Sequence, residues 1–327
     1  MSTPPVFLVG TELSALTPLA GGLERLVCGL AEALSVQGVK THLVDVSSKD
    51  PYSTLRSLPD NATVVLNNRP AWSHWVSGPT VIWLHNTEEA WGDISIRKGA
   101  LAMAVSHYLA ERASSIFASP VKVLPAFVDP QFFERPDHHH ARPDPALLFP
   151  NRTLEKKGVR EVLDALDTEQ GMSLRVNFVT NLSPWKTPTP EHTALLTAIL
   201  AHPRGSLIPR CTTPEDIRSL YRSHSGVLVP STRPEGFGLV ALEALATGVP
   251  TIISNQGGLG ELGEFGAIFA DPRDREALAS AMVQATKLGH SGGLNSTLKQ
   301  FSPAASAALL REALLSLGRE SAQSSPR

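Results

Sequence analysis

Cysteine is nearly absent from this 327-residue chain: Cys28 and Cys211 are the only two. So few, so far apart, they exclude a disulfide scaffold and a cysteine-built zinc site. Long apolar runs are missing too, and the start, Met1-Ser2-Thr3-Pro4-Pro5, has no basic segment ahead of its first strand. Neither a membrane span nor a secretory leader is expected. No sign of charge dominates, since 29 Lys and Arg face 31 Asp and Glu for a net charge of −2. Such a chain carries no field for nucleic acid or an anionic membrane. The expectation is a soluble cytoplasmic protein. What is present is ordinary globular composition, 42% apolar and 18% charged, in a length that suits two domains of about 150 residues each.

Strand-like and helix-like segments alternate from start to end, which predicts an α/β architecture with parallel sheets. In the first half the strands are read at 6–10, 41–46, 63–68, 80–85, 102–105 and 121–125, with helices at 22–37, 51–58 and 107–117. The second half repeats the scheme, with strands at 146–150, 174–180, 207–209, 227–230, 251–254 and 267–270. Arg135 to Pro145 is proline-rich and polar and reads as the linker between domains 1–142 and 143–327. Its His138, His139 and His140 read as solvated rather than as a metal site. Ser316 to Arg327 is small and polar, and is expected to fray.

The chain is organised around Pro230 to Gly248. The apolar run Gly226-Val227-Leu228-Val229 leads into Pro230-Ser231-Thr232-Arg233-Pro234-Glu235-Gly236-Phe237-Gly238, and Leu239 to Ala246 follows as an apolar helix stopped by Gly248 and Pro250. Strand, glycine-rich turn and helix together aim free backbone N–H groups at an anion. Gly236 and Gly238 permit close backbone approach to a ligand. Glu243 lies one turn past Leu239 on the same face. Buried alone it would cost on the order of several kcal/mol, so it needs either an internal arginine or a ligand. With Glu235 and the glycines alongside, a ligand is the better reading.

Other stretches carry weaker signals. Gly21-Gly22 open the first long helix and suit either phosphate approach or an ordinary turn; their spacing is not that of a dinucleotide fingerprint. His85-Asn86 end an apolar strand, where a parallel sheet gathers ligands. Arg152 and Lys157, in Asn151-Arg152-Thr153-Leu154-Glu155-Lys156-Lys157-Gly158, supply fixed positive charge at a strand end, as a diphosphate requires. Lys156 reads as solvated.

Glu235 and Glu243, eight residues apart around Gly236-Phe237-Gly238-Leu239, resemble the paired-glutamate signature of retaining GT-B glycosyltransferases, the large family-4 type above all. Ala244, Gly248 and Pro250 also fall where that family has them. The resemblance implies two doubly wound parallel-sheet domains facing across a cleft, with the last helix, from Ala304 to Leu317, crossing back to the first domain. It implies donor contacts from Gly21, Gly22, Arg210, Gly236, Phe237, Gly238, Leu239 and Glu243. His85, Arg152, Lys157 and Glu235 become the catalytic set, with Glu243 on the ribose hydroxyls, Glu235 on the donor sugar and Arg210 near the base. Ser106 matches a family turn, and Gly257-Gly258 with Glu261 match its Gly-Gly-x-x-Glu. At Asp129 the family's Asn-Gly is replaced by Ala126-Phe127.

The activity so implied is transfer of a sugar, with retention, from a nucleoside-diphosphate sugar, UDP by resemblance, to a soluble acceptor hydroxyl. No Asp-x-Asp occurs, and Asp271 and Asp274 have the wrong spacing, so no metal is expected. Arg152, Lys157 and backbone amides would instead carry the leaving diphosphate. A nucleotide-sugar epimerase, a non-catalytic nucleotide-sugar binder and an enzyme of lipid-linked saccharides are the alternatives. Charges in 1–142 are dispersed, which favours a soluble acceptor: a natural-product aglycone, an aminocyclitol or a saccharide. Trp72, His74, Trp75 and Trp91 offer it flat faces, core packing being the use of at least one.

Overall fold

The computed structural model describes residues 4–10, 22–46, 50–129, 132, 144–180, 188–211, 213–290 and 300–323, with backbone alone at 144 and 318–323. By its contacts the chain forms two compact units, residues 1–128 with 300–327, and residues 129–299. Most of the linker expected over 135–145 lies outside the described residues, His138 to His140 included.

Unit 1 is a six-stranded parallel sheet in the order β2-β1-β3-β4-β5-β6. Its strands are β1 (Val6–Gly10), β2 (Thr41–Asp45), β3 (Thr63–Asn67), β4 (Thr80–Leu84), β5 (Leu101–Ala104) and β6 (Lys122–Val123). The central strands β3 and β4 are buried along their whole length, the state that continuous runs such as Val81-Ile82-Trp83-Leu84 require. Edge strand β2 is only half-buried. Helices α1 (Gly22–Val36), α2 (Pro51–Arg56) and α3 (His107–Phe117) connect them. α9 (Pro303–Gln323) also belongs to this unit and packs on α1. Gln37 Nε2 donates to the Ala304 carbonyl at 3.1 Å, and Ser306 Oγ to that of Pro125 at 2.9 Å. The helix runs on to Gln323 instead of stopping at Leu317, since no proline follows until Pro326.

Unit 2 repeats the plan, in the order β12-β11-β10-β7-β8-β9, all parallel. It contains β7 (Asp144–Phe149), β8 (Val176–Val179), β9 (Gly205–Ile208), β10 (His224–Val229), β11 (Thr251–Ile253) and β12 (Ile268–Phe269). Its helices are α4 (Val159–Leu166), α5 (Pro190–Ala201), α6 (Pro214–Arg222), α7 (Leu239–Ala246) and α8 (Arg275–Leu288). Leu147, Phe149, Phe178, Leu228 and Ile252 of the sheet bury against Val162, Leu166, Leu278 and Met282 of the helices. Among the described residues no helix is long and apolar enough to cross a membrane.

Strand order fixes where ligands gather. In unit 1 the chain leaves β1 for β2 on one side and returns to β3 on the other; in unit 2 it leaves β7 for β8 and β9 and returns to β10. A doubly wound sheet has its crevice where the order reverses, beyond the carboxyl ends of those strands. The two crevices therefore lie past β1 and β3, and past β7 and β10.

Candidate active site

In unit 2 the loops leaving β7 and β10 are stitched together. Asn151 Nδ2 donates to the Leu228 carbonyl at 3.0 Å, and Thr232 N to that of Lys156 at 3.0 Å. Between them Gly158, at φ 85°, sits so close that a Cβ there would lie 2.1 Å from the Pro230 oxygen. This seam brings Lys157 to Glu235: Nζ donates to Oε1 at 2.7 Å, with both side chains about five-sixths buried (16% and 17% exposed). Ser231 Oγ donates to the same oxygen, so both of these bonds fall on Oε1 and neither on Oε2. Glu235 is held by its backbone as well, its carbonyl accepting from Gly258 N at 2.9 Å and its amide donating to Gln256 O at 3.2 Å. The Gly-Gly-x-x-Glu segment thus braces Glu235. Arg152 and Lys156 are exposed.

α7 begins one residue after Gly238, whose φ of 102° favours glycine and whose hydrogen faces Leu259, 2.4 Å from where a Cβ would stand. The amides of Leu239 and Val240 open the helix and have no acceptor within it. Gly236 and Phe237 are buried, and Leu239 is half-buried. Glu243 is buried, and its Oε2 accepts from the Tyr221 phenol at 2.9 Å. That donor, on α6, was not visible in the sequence, nor was the Ser231 contact. Arg210 is exposed at the end of the segment after β9.

His85 lies in unit 1 just past β4. The strand ends at Leu84 because the His85 amide turns from the ladder to Asn68 Oδ1, 2.7 Å away. The ring is buried, 4.2 Å between centroids from Trp83, and Nε2 is 2.9 Å from Asn67 Oδ1. Asn67 uses its Nδ2 on the Val9 carbonyl at 2.7 Å, so its oxygen faces His85 and Nε2 carries the proton. Burial pushes the imidazole from 6.5 down to about 3. It is a neutral ring with a buried, unpartnered Nδ1, suited to accepting a hydroxyl and not to acting as an acid. Gly22 opens α1, while Gly21 lies outside the described residues. Ser106 caps α3, accepting from Leu109 N at 3.1 Å, and Phe127 is core, stacked on Trp83. Trp91 is core too, stacked on Phe117, whereas Trp72 is half-buried and Trp75 and His74 are exposed.

Residues 88–291 match the family described as "Family 4 Glycosyltransferase in conflict systems". The chain belongs to that family. This family 4 chain is 41% identical over 75 residues to the mannosylfructose-phosphate synthase of Agrobacterium fabrum, covering 22% of this chain and 16% of that protein. It is 29% identical over 225 residues to the glycogen synthase of Mycobacterium tuberculosis, covering 64% of this chain and 50% of that one. The chain thus spans 16% to 50% of the length of these curated relatives. The sucrose-phosphate synthase of Thermosynechococcus elongatus shares the fold, with a TM-score of 0.74 over 97% of this chain and all (100%) of that one, at 18% identity. Two doubly wound parallel sheets in a family 4 chain are the GT-B fold.

Proposed function

We propose that this family 4 chain transfers a sugar, with retention and without a metal, from a nucleoside-diphosphate sugar to a hydroxyl of a soluble acceptor. The observation that carries the reading is the Lys157–Glu235 pair, brought together ahead of α7 by the loops that leave β7 and β10 where the strand order reverses. As the glycosidic bond stretches, negative charge gathers on the leaving diphosphate. Lys157 Nζ, the Arg152 guanidinium and the α7 amides are the groups to meet it. Glu243, held by Tyr221, receives the ribose hydroxyls, and Oε2 of Glu235 receives a hydroxyl of the sugar. Among the described residues no further carboxylate is set as a nucleophile, so the acceptor attacks from the face the diphosphate leaves, and the departing phosphate takes its proton. In unit 1, His85 offers its buried Nδ1 as an acceptor for a substrate hydroxyl. UDP is the proposed nucleotide.

Arg152→Ala and Lys157→Ala are the test. Each should lower kcat by about 10²–10³, the loss expected on removing one donor from a developing anion. Full transfer activity in either variant, or activity that depends strictly on an added divalent cation, would overturn the reading.

A further inference from the structure

Unit 1 has its own crevice, and its chemistry is distinct from that of unit 2. Beyond β1 and β3 lies a cavity of about 150 Å³, reached by Gly10 and Asn67 at the strand ends and floored by Leu23 and Val27 of α1. This is where the strand order reverses, the general ligand position of such sheets.

Two side chains on its wall, Asn68 and Arg69, bring donors to it. Asn68, held at φ 55°, gives its Oδ1 to the amides of His85 and Asn86, at 2.7 and 3.3 Å. Two backbone donors on one oxygen fix the carboxamide orientation, so both N–H bonds of Nδ2 remain for the cavity. Arg69 is half-buried beside it. Its Nη1 donates to the Ala90 carbonyl at 2.5 Å, and its guanidinium lies 6.0 Å from the centre of the Trp72 ring. That is one bond for a group with five donors, and among the described residues no aspartate or glutamate lines the cavity. A cation fixed by one carbonyl and one aromatic face, with no described carboxylate to neutralise it, suits a small planar or tetrahedral anion.

We propose that this cavity binds the acceptor through an anionic group, a phosphate or a carboxylate on a sugar or polyol. Arg69 and Asn68 are the anion's donors, and Trp72 lies along the carbon skeleton. That the bound molecule is the acceptor rests on the glycosyltransferase reading; the preference for an anion does not. Of the acceptors compatible with the sequence, an aminocyclitol is the one this cavity opposes, because its ammonium would meet Arg69.

The test is calorimetric binding to the whole chain, without any donor, of glucose 6-phosphate, glucuronate, glucose and glucosamine. Glucose 6-phosphate or glucuronate should bind more tightly than glucose and glucosamine, and the stronger of the two identifies the anion. In Arg69→Gln the dissociation constant for that probe should rise about tenfold or more, the value of a charge-assisted contact. Arg69→Lys should recover part of it, and Arg152→Ala should leave it unchanged, which separates this cavity from the unit 2 crevice. Binding of glucose as tight as that of both anions, or anion binding unaltered in Arg69→Gln, overturns the proposal, as does failure of both anions to bind. Transfer to an anionic acceptor with equal kcat and KM in wild type and Arg69→Gln would also overturn it while leaving the glycosyltransferase reading intact. Anion binding at Arg69 in a chain with no donor affinity would support this cavity while sinking the reading above.

Discussion

Gly158→Ala tests the seam on which the unit 2 crevice depends. Gly158 stands at φ 85°, ψ 27°, and an added Cβ would lie 2.1 Å from the Pro230 oxygen and 3.0 Å from its carbonyl carbon. The left-handed conformation costs a non-glycine residue about 1–2 kcal/mol. The overlap is with backbone, so one loop must move, and forced displacements of that kind cost about 1–3 kcal/mol more. Gly266 is the control: its φ is 90°, yet nothing lies within 4 Å of its absent Cβ. Gly266→Ala should therefore lose only the conformational part, about 1–2 kcal/mol. Urea denaturation followed by circular dichroism measures both. Gly158→Ala should be the more destabilised, by at least about 1 kcal/mol. It should also bind donor more weakly, because parting the loops separates Lys157 from Glu235. Equal stability of the two variants, with donor affinity unaltered, would refute the argument.

Tyr221→Phe should cost about 1–3 kcal/mol of stability and weaken nucleotide binding, because it removes a hydrogen bond to the buried Glu243 carboxylate; calorimetric titration with UDP reads the second effect, and unchanged affinity would remove Tyr221 from the site. The His85 ring titrates at about 3 in the folded chain against 6.5 ordinarily. A depressed value means that the unfolded chain takes up the proton first, so the contribution is complete above 6.5 and is lost as pH falls from there toward 3. The slope is about 1.4 kcal/mol per pH unit, and it should be missing from His85→Gln when the two are compared by denaturation between pH 6.5 and 4. Ser231→Ala should leave the Lys157–Glu235 pair formed but less well oriented, so kcat should fall more than KM rises; steady-state kinetics with a UDP-sugar would show it.

The fold was legible because buried parallel strands write themselves as continuous apolar runs. Val6–Gly10 and His107–Phe117 coincide with β1 and α3 to the residue, and Ser106 shows why the latter begins where it does. Strand ends were read a residue or two long, as at His85, because a side chain, here Asn68, takes over the next amide. The signals for α5, α6 and α8 are equally local: Thr189-Pro190, Thr213-Pro214 and Asp274 cap them through their side-chain oxygens. The paired-glutamate stretch could be read as a candidate site, but the bonds that hold it could not. Nothing in the spacing of Tyr221 and Glu243, or of Asn67 and His85, foretells a bond that only tertiary folding makes. Nor does the sequence tell that Gly238 is required by Leu259 as well as by its own φ.

The return of α9 to α1 has a consequence for how the molecule is made. Unit 2 is one unbroken stretch, whereas unit 1 is assembled from both ends of the chain. On the ribosome the usual order, first-made domain folding first, is therefore reversed. The sheet of unit 1 is translated before unit 2, but the surface of α1 that α9 covers waits until α9 emerges, after unit 2. Unit 2 can complete itself meanwhile. Loss of α9 would accordingly leave unit 2 whole and damage the unit whose sheet precedes it.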